Sequence, residues 1–304
     1  MCDEFTLQDD AEAQAVALAS ALADASADKG LSRREFAAMG AAAAALAGCA
    51  VAPGSAEAAG ALREAMVSIP TPDGSADAFF VHPAKGRHPA IIIWPDIGGL
   101  RDSFKMMARR LAASGYAVLA VNHYYRSAPS PVLASFAEWR TPEGQAKVRP
   151  MVALVTPEAV TRDAAAFVTF LDRQRAVNTR RKIGSSGYCM GGPYTIRMAA
   201  AVPGRVGAAA SFHGAGLTTD KPDSPHNLLA RTQASYLIAI AKGDDARDPA
   251  SKDTFRAAAA AAGRPAEIEV YGGDHGWCVP DSPVYHQAEA DRAWGRMLAL
   301  FARL

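Results

Sequence analysis

Of the chain's 304 residues, half are apolar and 21% are charged, so a globular core can form without covalent staples. The formal net charge is +1, and no basic run interleaved with aromatics occurs, which sets nucleic acid aside as a partner. Four cysteines, Cys2, Cys49, Cys189 and Cys278, show no CxxC spacing, which argues against a zinc site, a thioredoxin-type motif or a disulfide framework.

Residues 1–58 read as a leader outside the fold, and residues 59–304 as one domain. Within the leader, Ser32-Arg33-Arg34-Glu35-Phe36 precedes the short run "AAMGAAAAALAGCAVA". The pair Arg33 and Arg34 ahead of a mild apolar run resembles a twin-arginine export signal, which implies a translocase partner and a periplasmic or exported protein. The run is too short and alanine-rich for a membrane span. Two cleavage sites compete. "SAEAAG" offers cleavage before Ala59, whereas "LAGC" resembles a lipobox that would make Cys49 a lipid-anchored first residue.

From residue 64 onward, strands and helices alternate. "EAMVSIP" and "ADAFFVHP" predict an antiparallel pair around the turn "TPDGS". "PAIIIWP" is a continuous apolar run, as in a strand buried on both faces. The helix "DSFKMMARRLAASG" follows, capped by Asp102 or Ser103 and stopped by Gly115, and then the strand "YAVLAVNHY". Residues 126–158 carry Pro129, Pro131, Pro142, Pro150 and Pro157 and read as an irregular lid. After the amphipathic helix "PEAVTRDAAAFVTFLDRQ" come the strand "KIGSSG", a helix from Met190, and the strands "VGAAASFHG" and "ASYLIAIA". The helix "DPASKDTFRAAAAAAG", the strand "AEIEVYGG" and a final amphipathic helix close the chain. This order predicts a single α/β domain with a mostly parallel central sheet flanked by helices.

Reactive groups in such a sheet gather at the carboxyl ends of the strands. "GYCMGG" places Cys189 between a strand and a helix, where flanking glycines permit a sharp turn and the helix N-terminus favours a thiolate. The bland alternative is a buried structural cysteine in a glycine-rich bend. His275 in "YGGDHGWC" follows the last strand, the place of a general base; His213, at another strand end, is its one serious rival. "IAIAKGDDARDP" supplies the orienting acid after the preceding strand: Asp245, with Asp244 beside it as the alternative. Nucleophile, acid and then histidine is the α/β-hydrolase chain order.

Together with "PDIGGL", "RRLAASGYAVLAVNHYYR" and "DHGWCVPD", these segments resemble the dienelactone hydrolase family of α/β-hydrolases over residues 64–304. The resemblance implies a cysteine-dependent hydrolase of lactones or activated esters with a Cys189-His275-Asp245 triad and no cofactor or metal. It also implies an oxyanion hole from the N–H groups of Ile97 and Met190, and Asp96 in the place of the family's thiol-activating glutamate. Arg126 and Trp277 would touch substrate. The family's second carboxylate-binding arginine falls on Val279 here. The competing reading is an exported protein that retains the scaffold without catalysis, or uses Cys189 and Cys278 for redox regulation.

Overall fold

The computed structural model describes residues 61–304, so the twin-arginine pair, both cleavage sites and the start of the expected domain at residue 59 lie outside the described residues. Eight strands, β1 (Leu62–Thr71), β2 (Gly74–Pro83), β3 (Ala90–Trp94), β4 (Ala117–Val121), β5 (Ile183–Tyr188), β6 (Val206–Phe212), β7 (Ser235–Ala241) and β8 (Ala266–Tyr271), form one sheet in the order β1-β2-β4-β3-β5-β6-β7-β8. β1 (Leu62–Thr71) and β2 (Gly74–Pro83) are the antiparallel pair read from the sequence, joined by Pro72 and Asp73. β2 also runs antiparallel to β4 (Ala117–Val121), and from β4 onward all pairings are parallel.

Burial explains the pattern. β3 (Ala90–Trp94) and β4 are buried at every residue because helices cover both faces of the sheet, so neither strand alternates. On one face lie α1 (Asp102–Ala113) and the C-terminal helix, which packs Ala290, Ala293, Met297, Leu300 and Phe301 inward. The other face is covered by α4 (Pro157–Asp172), whose Val160, Ala164, Phe167, Val168 and Leu171 recur on one stripe of the helix. Each such fully buried side chain contributes about 1.5–3 kcal/mol over an exposed one. No helix among the described residues is long and apolar enough to cross a membrane.

The segment read as an irregular lid is partly helical. α2 (Phe136–Trp139) and α3 (Pro142–Val152) fill it, and α4 begins at Pro157. Two of its prolines start helices rather than break them. Thr141 and Thr156 each cap a helix through a side-chain oxygen, and Pro142 and Pro157 follow at the first helical position, where no N–H is needed. The insertion is also anchored in the core through Val132, Leu133 and Val148. α1 begins differently from the expectation: its N-cap is Arg101, which makes no side-chain capping bond, while Asp102 lies in the first turn.

Candidate active site

The elbow forms where β5 (Ile183–Tyr188) meets α5 (Gly191–Ala201). Cys189 has φ 54°, a left-handed backbone that a non-glycine residue adopts only under local compulsion. Two glycines make the bend sterically attainable. A Cβ at Gly187 would stand 2.0 Å from the Gly191 carbonyl oxygen, and one at Gly191 would stand 2.4 Å from that of Trp94. The Cys189 N–H donates both to the Phe212 carbonyl and to Nδ1 of His213, each at 3.1 Å. Cys189 is a free thiol, half-buried at the start of α5.

His213 ends β6 (Val206–Phe212) and is itself left-handed, with φ 39°. Accepting the Cys189 N–H leaves its ring proton on Nε2, which finds no protein partner. Burial, reinforced by the nearby His275 charge, pushes the His213 imidazole well below its usual range, so it stays neutral. The rival base is therefore a support for the elbow, and its ring meets that of His275 edge-on at 4.8 Å.

His275 lies in the loop after β8 (Ala266–Tyr271), turned by Gly276 at φ +102°. Its Nδ1 is 2.8 Å from Oδ2 of Asp244, and the Cys189 thiol is near enough to act on the charge of its ring. Burial opposes a charge on the ring, yet Cys189 and Asp244 outweigh it and hold the imidazole well above its usual range. Asp244 lies in the first turn of a six-residue helix, Lys242–Arg247, that follows β7 (Ser235–Ala241). The expected Asp245 does not reach the histidine. Its carboxylate pairs with Lys252 at 2.5 Å, because consecutive helical residues point about 100° apart. A backbone bond from Lys242 N to the Gly273 carbonyl, 3.0 Å long, ties the acid's helix to the histidine loop.

The Ile97 and Met190 N–H groups, the expected oxyanion pair, donate to no backbone carbonyl among the described residues. The Tyr124 hydroxyl donates to the Ile97 carbonyl at 3.0 Å and reaches Met190 Sδ at 3.2 Å, so one side chain spans both loops.

Three expected contacts are placed otherwise. Asp96 is committed to Arg101, Oδ1 at 2.7 Å and Oδ2 at 3.0 Å, instead of serving the thiol. Arg126 binds Asp73 and both oxygens of Asp163 and lies over the Tyr125 ring, so its charge is already answered by two carboxylates. Trp277 is fully buried and stacked on Tyr271 at 4.7 Å, where no substrate can touch it. Val279 is buried as well, so no side chain there projects toward a ligand. Cys278 lines an apolar cavity of about 200 Å³ with Met107, Tyr188, Phe212 and Met297, and burial pushes its thiol well above the usual range. Among the described residues, no group of three or more His, Cys, Asp or Glu side chains is placed to hold a metal ion.

A mostly parallel eight-stranded sheet with a strained residue at a strand–helix elbow, and a histidine on the loop after the last strand, defines an α/β-hydrolase fold. The chain belongs to the dienelactone hydrolase family, whose model matches residues 76–304. It is 30% identical to an Escherichia coli (strain K12) protein named "Putative carboxymethylenebutenolidase", over 78% of this chain and 85% of that one. It is 27% identical to a Bradyrhizobium protein named "Probable 2-oxo-3-(5-oxofuran-2-ylidene)propanoate lactonase", over 76% and 91%. Among solved structures, a dienelactone hydrolase-type protein of Klebsiella pneumoniae superposes with a TM-score of 0.69 at 25% identity, covering 80% of this chain and all of that one. The protein is a hydrolase acting on ester or lactone bonds.

Proposed function

We propose that the chain hydrolyses neutral lactones or activated esters through Cys189, with His275 as proton carrier and Asp244 as its orienter. The observation that carries this reading is the position of His275, whose Nδ1 is hydrogen-bonded to Asp244 while its ring charge is favoured by the nearby Cys189. The Cys189 thiolate attacks the carbonyl carbon, and the oxyanion develops toward the Ile97 and Met190 N–H groups. Collapse breaks the carbon–oxygen bond of the ester as the His275 imidazolium gives its proton to the departing oxygen. The neutral imidazole then takes a proton from water, whose oxygen attacks the thioester and frees the acid and the thiol. A thiolate suits activated esters and lactones because it attacks readily and leaves readily.

Neutral substrates are favoured because the arginine expected to bind a carboxylate is spent on Asp73 and Asp163, and position 279 is a buried valine. The lactone in the Bradyrhizobium relative's name carries a carboxylate; here the arginine at the first family position is already paired with Asp73 and Asp163, and the second position is Val279. A charge-assisted hydrogen bond contributes about 1.5–3 kcal/mol, or roughly ten- to a hundredfold in kcat/KM. Residues 59–304 should therefore hydrolyse the methyl ester of a carboxylated dienelactone at least as well as the free acid. A strong preference for the free acid in this paired comparison would overturn the assignment.

The redox alternative has less support, since the Cys278 thiol is buried and pushed upward, the reverse of a reactive disulfide partner. We also propose export by the twin-arginine route, supported by the pair Arg33-Arg34 ahead of an apolar run. Changing both arginines to lysine should keep the protein in the cytoplasm; undiminished mature protein outside it would reject this. The mass of the mature chain then chooses between Cys49 and Ala59 as its first residue.

A further inference from the structure

Arg101 is the largest charged side chain wholly buried among the described residues, and the proposed chemistry does not use it. All five of its N–H groups are engaged. Nη1 donates to Asp96 Oδ1 at 2.7 Å and to the Gly99 carbonyl at 3.2 Å, and Nη2 donates to Asp96 Oδ2 at 3.0 Å. Nε and the second N–H of Nη2 donate to Asp281, at 2.7 and 2.8 Å. Asp281 in turn accepts the Phe136 N–H at 3.0 Å, and the guanidinium carbon stands 5.5 Å from the Phe136 ring centre.

These contacts join three separate stretches of chain. Asp96 precedes Ile97, the oxyanion donor, and its Oδ1 also accepts the Gly98 N–H at 2.8 Å. Asp281 lies six residues beyond His275, in the loop that carries the histidine. Phe136 opens α2 of the insertion, and a Cβ at Gly99 would stand 3.0 Å from Val132 of that insertion. A basic residue at a helix N-cap is disfavoured by the helix dipole, so local helix energetics do not account for Arg101. Nor does stability, since apolar groups of similar volume often replace buried ion pairs without loss. Positional precision remains.

We propose that Arg101 is a positioning residue with two separable arms: Asp96 fixes the oxyanion loop, and Asp281 fastens the insertion over the site. The arms differ in character. The Asp96 side chain is 3% exposed whereas that of Asp281 is 26% exposed, so the insertion arm is the one that solvent can replace. The first arm holds, through Asp96 and the Gly98 N–H, the loop that carries the Ile97 N–H, so its loss falls on kcat. The second holds a covering segment, so its loss falls on KM.

The kinetic part of the test rests on the ester-hydrolase reading; the other part does not. Asp96→Asn should lower kcat by about tenfold with KM within twofold. Asp281→Asn should raise KM by about three- to tenfold with kcat within twofold. Trypsin cleavage of the folded protein at Arg140, Lys147 or Arg149 should quicken in Asp281→Asn and stay at the wild-type rate in Asp96→Asn. A shared loss of kcat in both variants without the KM split would overturn the proposal, as would unaltered cleavage of the insertion in Asp281→Asn. Should Asp96→Asn fail to fold, the KM and cleavage results of Asp281→Asn decide alone. If no ester is turned over by the wild type, the hydrolase reading fails while the cleavage comparison still judges the clamp.

Discussion

Cys189→Ala is expected to lower turnover by at least about a thousandfold while the fold persists, because removing the proposed covalent nucleophile leaves only binding and oxyanion stabilisation. The side chain is half-buried, and the left-handed backbone at position 189 is imposed by the turn rather than by the sulfur. Its loss opens no large cavity, and the melting temperature should move by only a few degrees. Cys189→Ser should retain a trace. Serine has the size for the elbow, but its hydroxyl does not ionise beside His275 as a thiol can, and an alkoxide departs less readily from the tetrahedral adduct. Cys278→Ala serves as the comparison: its thiol faces an apolar cavity and is disfavoured from ionising, so kcat should stay near the wild-type value. Full turnover in Cys189→Ala would sink the mechanism, and equal losses in the two cysteine variants would turn the reading toward a paired redox role.

What could be read from the sequence and what could not divides along the range of the interactions. The elbow was legible because its determinants are local: glycines at 187 and 191 are the only residues that fit between the strand end and the helix start. The fully apolar strands announced a sheet covered on both faces, and the chain order of Cys189 and His275 located both at its carboxyl end. The helices of the insertion were hidden by an ambiguity in proline, which ends a helix from the interior but starts one at the first position. The repeated Thr-Pro-Glu at residues 141–143 and 156–158 was the signal that would have resolved it.

Partnerships between distant residues were not legible. Arg126 stands where a substrate-binding arginine would, but its charge is taken by Asp73 and Asp163, which no spacing rule connects to it. Trp277 follows the histidine by two residues, yet its ring turns inward to stack on Tyr271, since the loop reverses at Gly276. Arg101 stands directly ahead of a helix. Its one local sign was a cation at an N-cap, a position that calls for an acceptor.

The neighbouring acids Asp244 and Asp245 show the same limit at single-residue scale, and their substitution tests the site most sharply. Asp244→Asn should lower kcat by about a hundredfold near neutral pH, because the amide removes the charge that steadies the imidazolium and can present the wrong partner to Nδ1. Asp245→Asn loses only a part-exposed pair with Lys252 and should stay within about twofold. The pH profile carries a sign as well. In the wild type His275 holds its proton well above the usual histidine range, against burial and by virtue of Cys189 and Asp244. In the proposed mechanism the acid that protonates the leaving oxygen therefore survives into alkaline solution, and the alkaline limb of kcat/KM should lie well above pH 6.5. Without the Asp244 charge the imidazolium gives up its proton more easily, so that limb must move toward acid; a shift in the alkaline direction would contradict the geometry. Cys189 is one of the groups that raise the imidazole, so the limb should also move toward acid when Cys189 is replaced by serine. If Asp245→Asn did the greater damage, or if the limb stayed in place in Asp244→Asn, the hydrogen bond between Asp244 and His275 would not be the one that orients the base.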